Sequence, residues 1–203
     1  MPMHSFTHYS DLLSVARVTE PNEEPISLAD AKEQLRVVDM TEDDGYITAL
    51  ISAARRAVED MTGRALIDTV FTLSAHDWAA CYDLPRGNAH SITSLVYDDV
   101  NEAVQTVAAA DYRLSKTASG ISRLVMLSTF TEPDLFDEDY VERIRITFTA
   151  GYGAACDVPQ TLRQAVLYLV QHMYDNRSPI AVGVSVAEVP FTVKALAAPY
   201  IIY

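Results

Sequence analysis

Five histidines, two cysteines and 28 acidic side chains are the groups with which this 203-residue chain could do chemistry. His4, His8, His76, His90 and His172 fall in no HExxH pattern or other close ligand spacing, so the sequence presents no zinc site. Cys81 and Cys156 stand far apart, with neither a CxxC pair nor a local activating motif. They read as tolerated thiols rather than nucleophiles, and as cysteines of a reducing compartment. Glu42-Asp43-Asp44 has the acid density to ligate a divalent cation, but it opens a helical pattern, where carboxylates offset the positive end of the helix dipole. Asp98-Asp99 reads as a hairpin turn. Gly151-Tyr152-Gly153 lacks both the spacing and the basic complement of a phosphate loop and serves as a strand-to-helix turn. Trp78 and the eleven tyrosines are scattered without interleaved cations, which points to core packing and protein interfaces rather than base stacking. No catalytic residue, metal ligand or cofactor is assigned.

The elements that would carry these groups follow from hydrophobic period. Ser27 precedes Leu28-Ala29-Asp30, a hydroxyl and a carboxylate placed to satisfy free amides of a short helix ending at Arg36, with Leu28, Ala31 and Leu35 facing inward. Thr41 caps a second helix over about 42–62, whose Ile47, Leu50, Ile51, Ala54, Val58 and Met61 recur at helical spacing before Gly63. From Leu66 to Ala150 the pattern changes to short strands, Thr69–Ala75, Ile92–Tyr97, Ala103–Val107, Tyr112–Leu114 and Ile121–Leu127, with Pro85-Arg86-Gly87-Asn88 and Ser119-Gly120 as turns and Glu132–Glu142 as an acidic loop. Arg143–Thr149 alternates strictly between apolar and polar, the mark of a strand with one buried face. After Pro159, Leu162, Ala165, Val166, Leu169, Val170 and Met173 form a helix so apolar, with Leu167 and Tyr168 on its flanks, that it needs cover on more than one side. Val189-Pro190-Phe191 enters a short helix through Ala198, and Tyr200, Ile201, Ile202 and Tyr203 then form an apolar end that should dock on something.

The expected fold class is α+β: a small helical bundle core, a β-rich insertion between the core helices and an extended C-terminal tail. The expected parts are an N-terminal extension (1–25), a first helical part (26–66), the β-rich insertion (67–150), a second helical part (151–178) and a docking tail (179–203). An apolar content of 49% supports a real core. Fifteen cations against 28 acids give a net charge of −13, which repels phosphates and argues against a nucleic-acid grip. No signal sequence and no membrane span are legible, so the chain is expected to be made in the cytoplasm.

Taken in order, these pieces resemble the head-tail connector, or adaptor, proteins of tailed bacteriophages and gene transfer agents. The resemblance covers about residues 20–203. It runs through Ile26–Val37, the helix end Val58-Glu59-Asp60-Met61-Thr62-Gly63-Arg64-Ala65-Leu66, Phe148-Thr149-Ala150-Gly151-Tyr152-Gly153, and Val158-Pro159-Gln160-Thr161-Leu162-Arg163-Gln164-Ala165 to Asn176-Arg177. What it implies is a structural role without a catalytic centre: a homo-oligomeric ring of twelve subunits in the virion, at the head-tail junction, assembled in the host cytoplasm. One face would dock on the portal protein and the other would receive a stopper or tail-completion protein, while double-stranded DNA passes through without specific binding. By this analogy the long helix would supply the ring interface through Leu162, Val166, Tyr168, Leu169 and Met173. The tail would meet the portal through Val189, Phe191, Leu196, Tyr200, Ile201, Ile202 and Tyr203.

Two other readings stay open at the level of sequence. A small ligand-binding or enzymatic domain would use the β-rich insertion and require convergence of His76, Asp77, Cys81 or His90 in a pocket. A nucleic-acid-binding regulator would require a local basic patch against the overall charge.

Overall fold

A computed structural model describes residues 13–117, 121–136, 142–176 and 190–202. Its strands are β1 (Leu13–Arg17), β2 (Thr69–Ala75), β3 (Cys81–Leu84), β4 (Ala89–Asp98), β5 (Val104–Thr106), β6 (Tyr112–Lys116), β7 (Ser122–Met126) and β8 (Ile144–Ala150); its helices are α1 (Leu28–Leu35), α2 (Asp44–Thr62), α3 (Gln160–Asp175) and α4 (Phe191–Ala197). The chain divides into two compact units. One is β-rich and holds β1 with Thr69–Ala150; the other is helical and holds Pro21–Asp68 with the chain from Gly151 onward.

In the helical unit, α1 starts as its sequence dictates. The Asp30 amide donates to Ser27 Oγ and the Ser27 amide to an Asp30 carboxylate oxygen, both at 3.1 Å, so the capping box is closed. Helix α2 begins two residues later than the Thr41 cap predicts, with Asp43 at the N-cap position. The Asp43 carboxylate makes no capping bond, because it accepts the Tyr174 hydroxyl at 2.6 Å instead. Gly63 ends α2 at φ 70°, donating its amide to Glu59 O. Ile47, Ile51, Ala54 and Val58 from α2, and Leu162, Ala165, Val166, Leu169 and Val170 from α3, close one apolar core with Ile26, Leu66 and Val158. Each Val, Leu or Ile among them contributes about 1.5–3 kcal/mol on burial.

Of the expected extended tail over 179–203, the described residues 190–202 are folded back, with the short helix expected through Ala198 in place. The short helix is present as α4, and a 3₁₀ turn over Ala198–Tyr200 follows it. Val193 is fully buried in the core just described, and Ala197 is fully buried as well. Arg64 Nε donates to Tyr200 O at 2.7 Å, the Ile202 amide donates to Thr62 O at 3.0 Å, and the Thr161 and Tyr200 hydroxyls meet at 2.8 Å. The core formed by α2 and α3 is incomplete without these side chains, which is why the segment folds back on its own unit.

At the centre of the same unit lies a guanidinium, Arg55, 1% exposed, bonded to the equally buried Glu59 at 2.9 Å and to Glu24 at 2.7 Å. The second Glu59 oxygen accepts the Leu66 amide at 3.0 Å. One ion-pair network thus holds α2, the strap that leads into α1 and the chain leaving α2.

The β-rich unit contains two antiparallel sheets, one of order β1-β2-β8-β4-β5 and one of order β3-β7-β6. β8 obeys its alternation: Ile144, Ile146, Phe148 and Ala150 are buried and Arg145, Thr147 and Thr149 are not. Phe148 sits opposite Phe71 of β2 with ring centroids 5.8 Å apart. Strands expected at Thr69–Ala75, Ile92–Tyr97, Ala103–Val107, Tyr112–Leu114, Ile121–Leu127 and Arg143–Thr149 are present, most with shifted ends, and β4 is longer than its apolar run because two register shifts let Ala89 and Ser91 join the ladder. The sequence reading contains neither β1 nor β3. Both are short, and β1 is an edge strand whose described side chains are mostly exposed, so neither carries a strong apolar period.

Two substitutions test this account. Arg55→Ala leaves Glu59 buried without its cation and should cost about 3–5 kcal/mol in urea unfolding of the full chain. At Gly151, φ 155°, an added Cβ would stand 2.5 Å from the Asp68 backbone nitrogen and 2.6 Å from the Ile67 carbonyl carbon. Gly151→Ala should therefore cost about 3 kcal/mol or more by the same measurement.

Candidate functional site

Of the reactive groups singled out by sequence, His76 and Asp77 are brought together by one arginine. Arg143, nearly buried, gathers His76 and Asp77: its Nη2 lies 2.9 Å from His76 Nε2 and 3.1 Å from Asp77 Oδ1, its Nε donates to His76 O and its Nη1 to Phe136 O. Trp78, next along, donates Nε1–H to Pro133 O and stacks edge-on against Tyr97 and Phe130. This clamp fixes two loops of the β-rich unit. Cys81 belongs to β3, opposite Val125, and His90 to the start of β4. His172 is on α3, and Cys156 is exposed on a 3₁₀ turn. His4 and His8 lie outside the described residues. Among the described residues no three His, Cys, Asp or Glu side chains are grouped to hold a metal ion.

The acidic runs are spoken for. Asp44 pairs with Lys32 at 2.7 Å, Asp43 accepts Tyr174, and the Thr41 amide donates to Glu42. Asp98 takes the Arg145 guanidinium with both oxygens at 2.7 Å across β4 and β8, and that bond holds its carboxyl below the ordinary aspartate range. Asp99 does form the expected turn, accepting from Gln105 Nε2 and the Asn101 and Ala103 amides. Gly151-Tyr152-Gly153 likewise turns the chain, with the Tyr152 amide donating to Leu66 O and Gly153 O accepting the Asp68 amide.

What remains are surfaces. In the helical unit a groove of about 540 Å³ runs beside the strap, lined by Glu23, Ile26, Leu28, Ile51, Cys156 and Arg163 among others. The strap is pinned there by Arg163 Nε to Pro25 O and by the Ala155 amide to Glu23. Of the five α3 side chains expected at a ring interface, Leu162, Val166 and Leu169 are buried inside the unit's own core, Met173 is partly buried, and Tyr168 faces outward. Of the tail residues, Leu196 and Tyr200 are packed against that core, Ile201 and Ile202 are half-buried, and Phe191 is 85% exposed. Val189 and Tyr203 lie outside the described residues. Sequence reasoning missed Val38, Met40 and Tyr46, exposed apolar residues around the α1–α2 connection. Tyr46 had been counted only among the scattered tyrosines, and neither Val38 nor Met40 falls on a helical stripe.

A family model described as phage gp6-like head-tail connector protein matches residues 25–137. A chain in the neck of an empty GTA particle computed with C6 symmetry is 27% identical, with a TM-score of 0.77 over 94% of this chain and 96% of that one. A chain in the virion of the native gene transfer agent particle is 28% identical, with a TM-score of 0.75 over 93% and 95%. A chain in the neck of the native particle computed with C12 symmetry is 26% identical, with a TM-score of 0.74 over 94% and 96%. No curated protein matches the chain significantly.

The Asp98–Arg145 bond generates a pH prediction for the β-rich unit. Because the folded carboxyl titrates below its unfolded value of about 3.9, its stabilisation is complete above that pH and is lost as pH falls through the lowered folded value. Asp98→Asn should remove about 1.5–3 kcal/mol at pH 7 and flatten this part of the acid limb, read by circular dichroism against pH and urea.

Proposed function

The chain belongs to the phage gp6-like head-tail connector family, and from that premise we propose that it is a structural protein of the virion, forming a ring at the head-tail junction and leaving a channel for DNA. The observation that carries this reading is the near-complete superposition on chains in the necks of gene transfer agent particles, with 94% of the chain covered at a TM-score of 0.77. A neck computed with C12 symmetry supports twelve subunits. The role is one of binding and spacing, performed without catalysis or a cofactor. No helix among the described residues is long and apolar enough to cross a membrane.

The portal protein is the proposed partner on one face and a stopper or tail-completion protein the partner on the other. The net charge of −13 suits a channel subunit, since a negative wall does not trap the passing duplex, which is contacted without sequence specificity. In this reading the helical unit builds the ring and the β-rich unit is an insertion between its two halves.

Portal docking is assigned to the C-terminal segment. Phe191 is the proposed centre of that contact: among the described tail residues it is the most exposed large apolar side chain, while Leu196 and Tyr200 pack against the subunit's own core. Pro190, at the N-cap position of α4, fixes the backbone immediately before it.

Deleting the whole segment would be a poor test, because it removes Val193 and Ala197 from the core. Phe191→Asp is the cleaner one. It changes an exposed position in the first turn of α4, where an acid suits the helix dipole, so stability should shift by no more than about 0.5 kcal/mol. Co-sedimentation with the purified portal protein should fall at least about tenfold in affinity. Undiminished binding with an intact fold would remove Phe191 from the portal contact.

A further inference from the structure

The described helical unit exposes five large apolar side chains: Val38, Met40, Tyr46, Tyr168 and Phe191. With Phe191 assigned to the portal, the other four fall in two unlike places. Val38 and Met40 lie on the connection from α1 to α2 and Tyr46 in the first turn of α2, and together they form one corner of the chain path. Tyr174 ties this corner together: its ring lies 6.2 Å from that of Tyr46, and its hydroxyl donates to Asp43 and touches Met40 Sδ at 4.0 Å. The corner is rimmed by the exposed acids Asp39 and Glu42.

Tyr168 stands on a different face. It precedes Tyr174 on α3 by six residues, which places it about 120° away around the helix at 3.6 residues per turn. Around it run Thr161, Gln164 and His172, and from Val158 to Tyr174 the chain carries no acidic residue at all.

Charge decides how these two faces can be used. In a subunit of net charge −13, two such corners brought face to face would set Asp39 and Glu42 against their own copies with the exposed Arg36 as partial offset, which disfavours pairing of the corner with itself. The acid-free stripe of α3 is a surface of the same chain that can receive it without like-charge repulsion. A contact between two different faces of identical subunits is heterologous, and it generates a ring when the rotation closes.

We propose that the subunit joint is this contact: the Val38, Met40 and Tyr46 corner of one copy seats on the Tyr168 stripe of α3 in the next. The inference rests on the ring reading above and names its interface. The pinned Tyr46–Tyr174 pair presents the corner already ordered, so little conformational freedom is lost on docking. Leu162, Val166 and Leu169 then act behind the joint, holding α3 rigid from within the subunit.

The test uses the full chain carrying Met40→Glu or Tyr46→Ala in the corner, or Tyr168→Glu in the stripe, with folding checked by circular dichroism. Assembly is followed by mass photometry, alone and on the purified portal protein. Each variant should need at least about tenfold more protein to assemble than the wild type. An equimolar mixture of the Met40→Glu and Tyr168→Glu proteins provides the decisive arm. One intact corner and one intact stripe remain in that mixture, on different molecules, so it should form species of two subunits and grow no further. Wild-type rings with folded variants that assemble equally well, or a mixture that stays monomeric, would overturn the joint while leaving the connector reading in place. A wild-type chain that stays monomeric both alone and with the portal protein would instead strike the ring reading, and this inference with it.

Discussion

The helical unit depends on one buried charge. Arg55 is anchored in the middle of α2, and its guanidinium reaches Glu59 on its own helix and Glu24 on the strap before α1. Glu59 passes the constraint on to the Leu66 amide beyond the end of α2. A cation this deep is tolerated only because its bonds replace the water it has lost. The apolar core alone specifies that α2 and α3 pack; the network specifies where the chain approaches α1 and where it leaves α2. The outward corner at Val38, Met40 and Tyr46 lies on the connection between these fixed points.

Much of the fold was legible because local rules and tertiary packing agree. Ser27 and Asp30 announce α1 and close its cap; Gly63 ends α2; the alternation of Arg143–Thr149 becomes β8 almost residue for residue. The failures have physical causes. Thr41 looked like a cap, but its neighbour Asp43 is drawn to the Tyr174 hydroxyl, 131 positions away, and α2 starts later. β1 and β3 gain their strand character from partners rather than from their own pattern. The tail reads in the sequence as a segment that docks on a partner, and nothing local reveals that Val193 and Ala197 are buried within the subunit itself.

The same ambiguity affected the candidate interface. A helix apolar around most of its circumference predicts cover on several sides without saying which side belongs to a neighbour. α1, α2 and α4 claim Leu162, Val166 and Leu169, leaving Tyr168. In the proposed ring, the surfaces that serve assembly are apolar residues left over after the subunit's own core is satisfied, and they become visible only once that core is known. Reactive side chains show the converse: His76 and Asp77, suggestive in sequence, are held by Arg143 as parts of a loop clamp.

As a proposed ring-forming connector, this chain has contact as its function. Light scattering of the purified wild-type protein, alone and mixed with the portal protein, should then give a ring-sized mass, or a complex of that size appearing when the portal is added. A stable monomer indifferent to the portal would contradict this role.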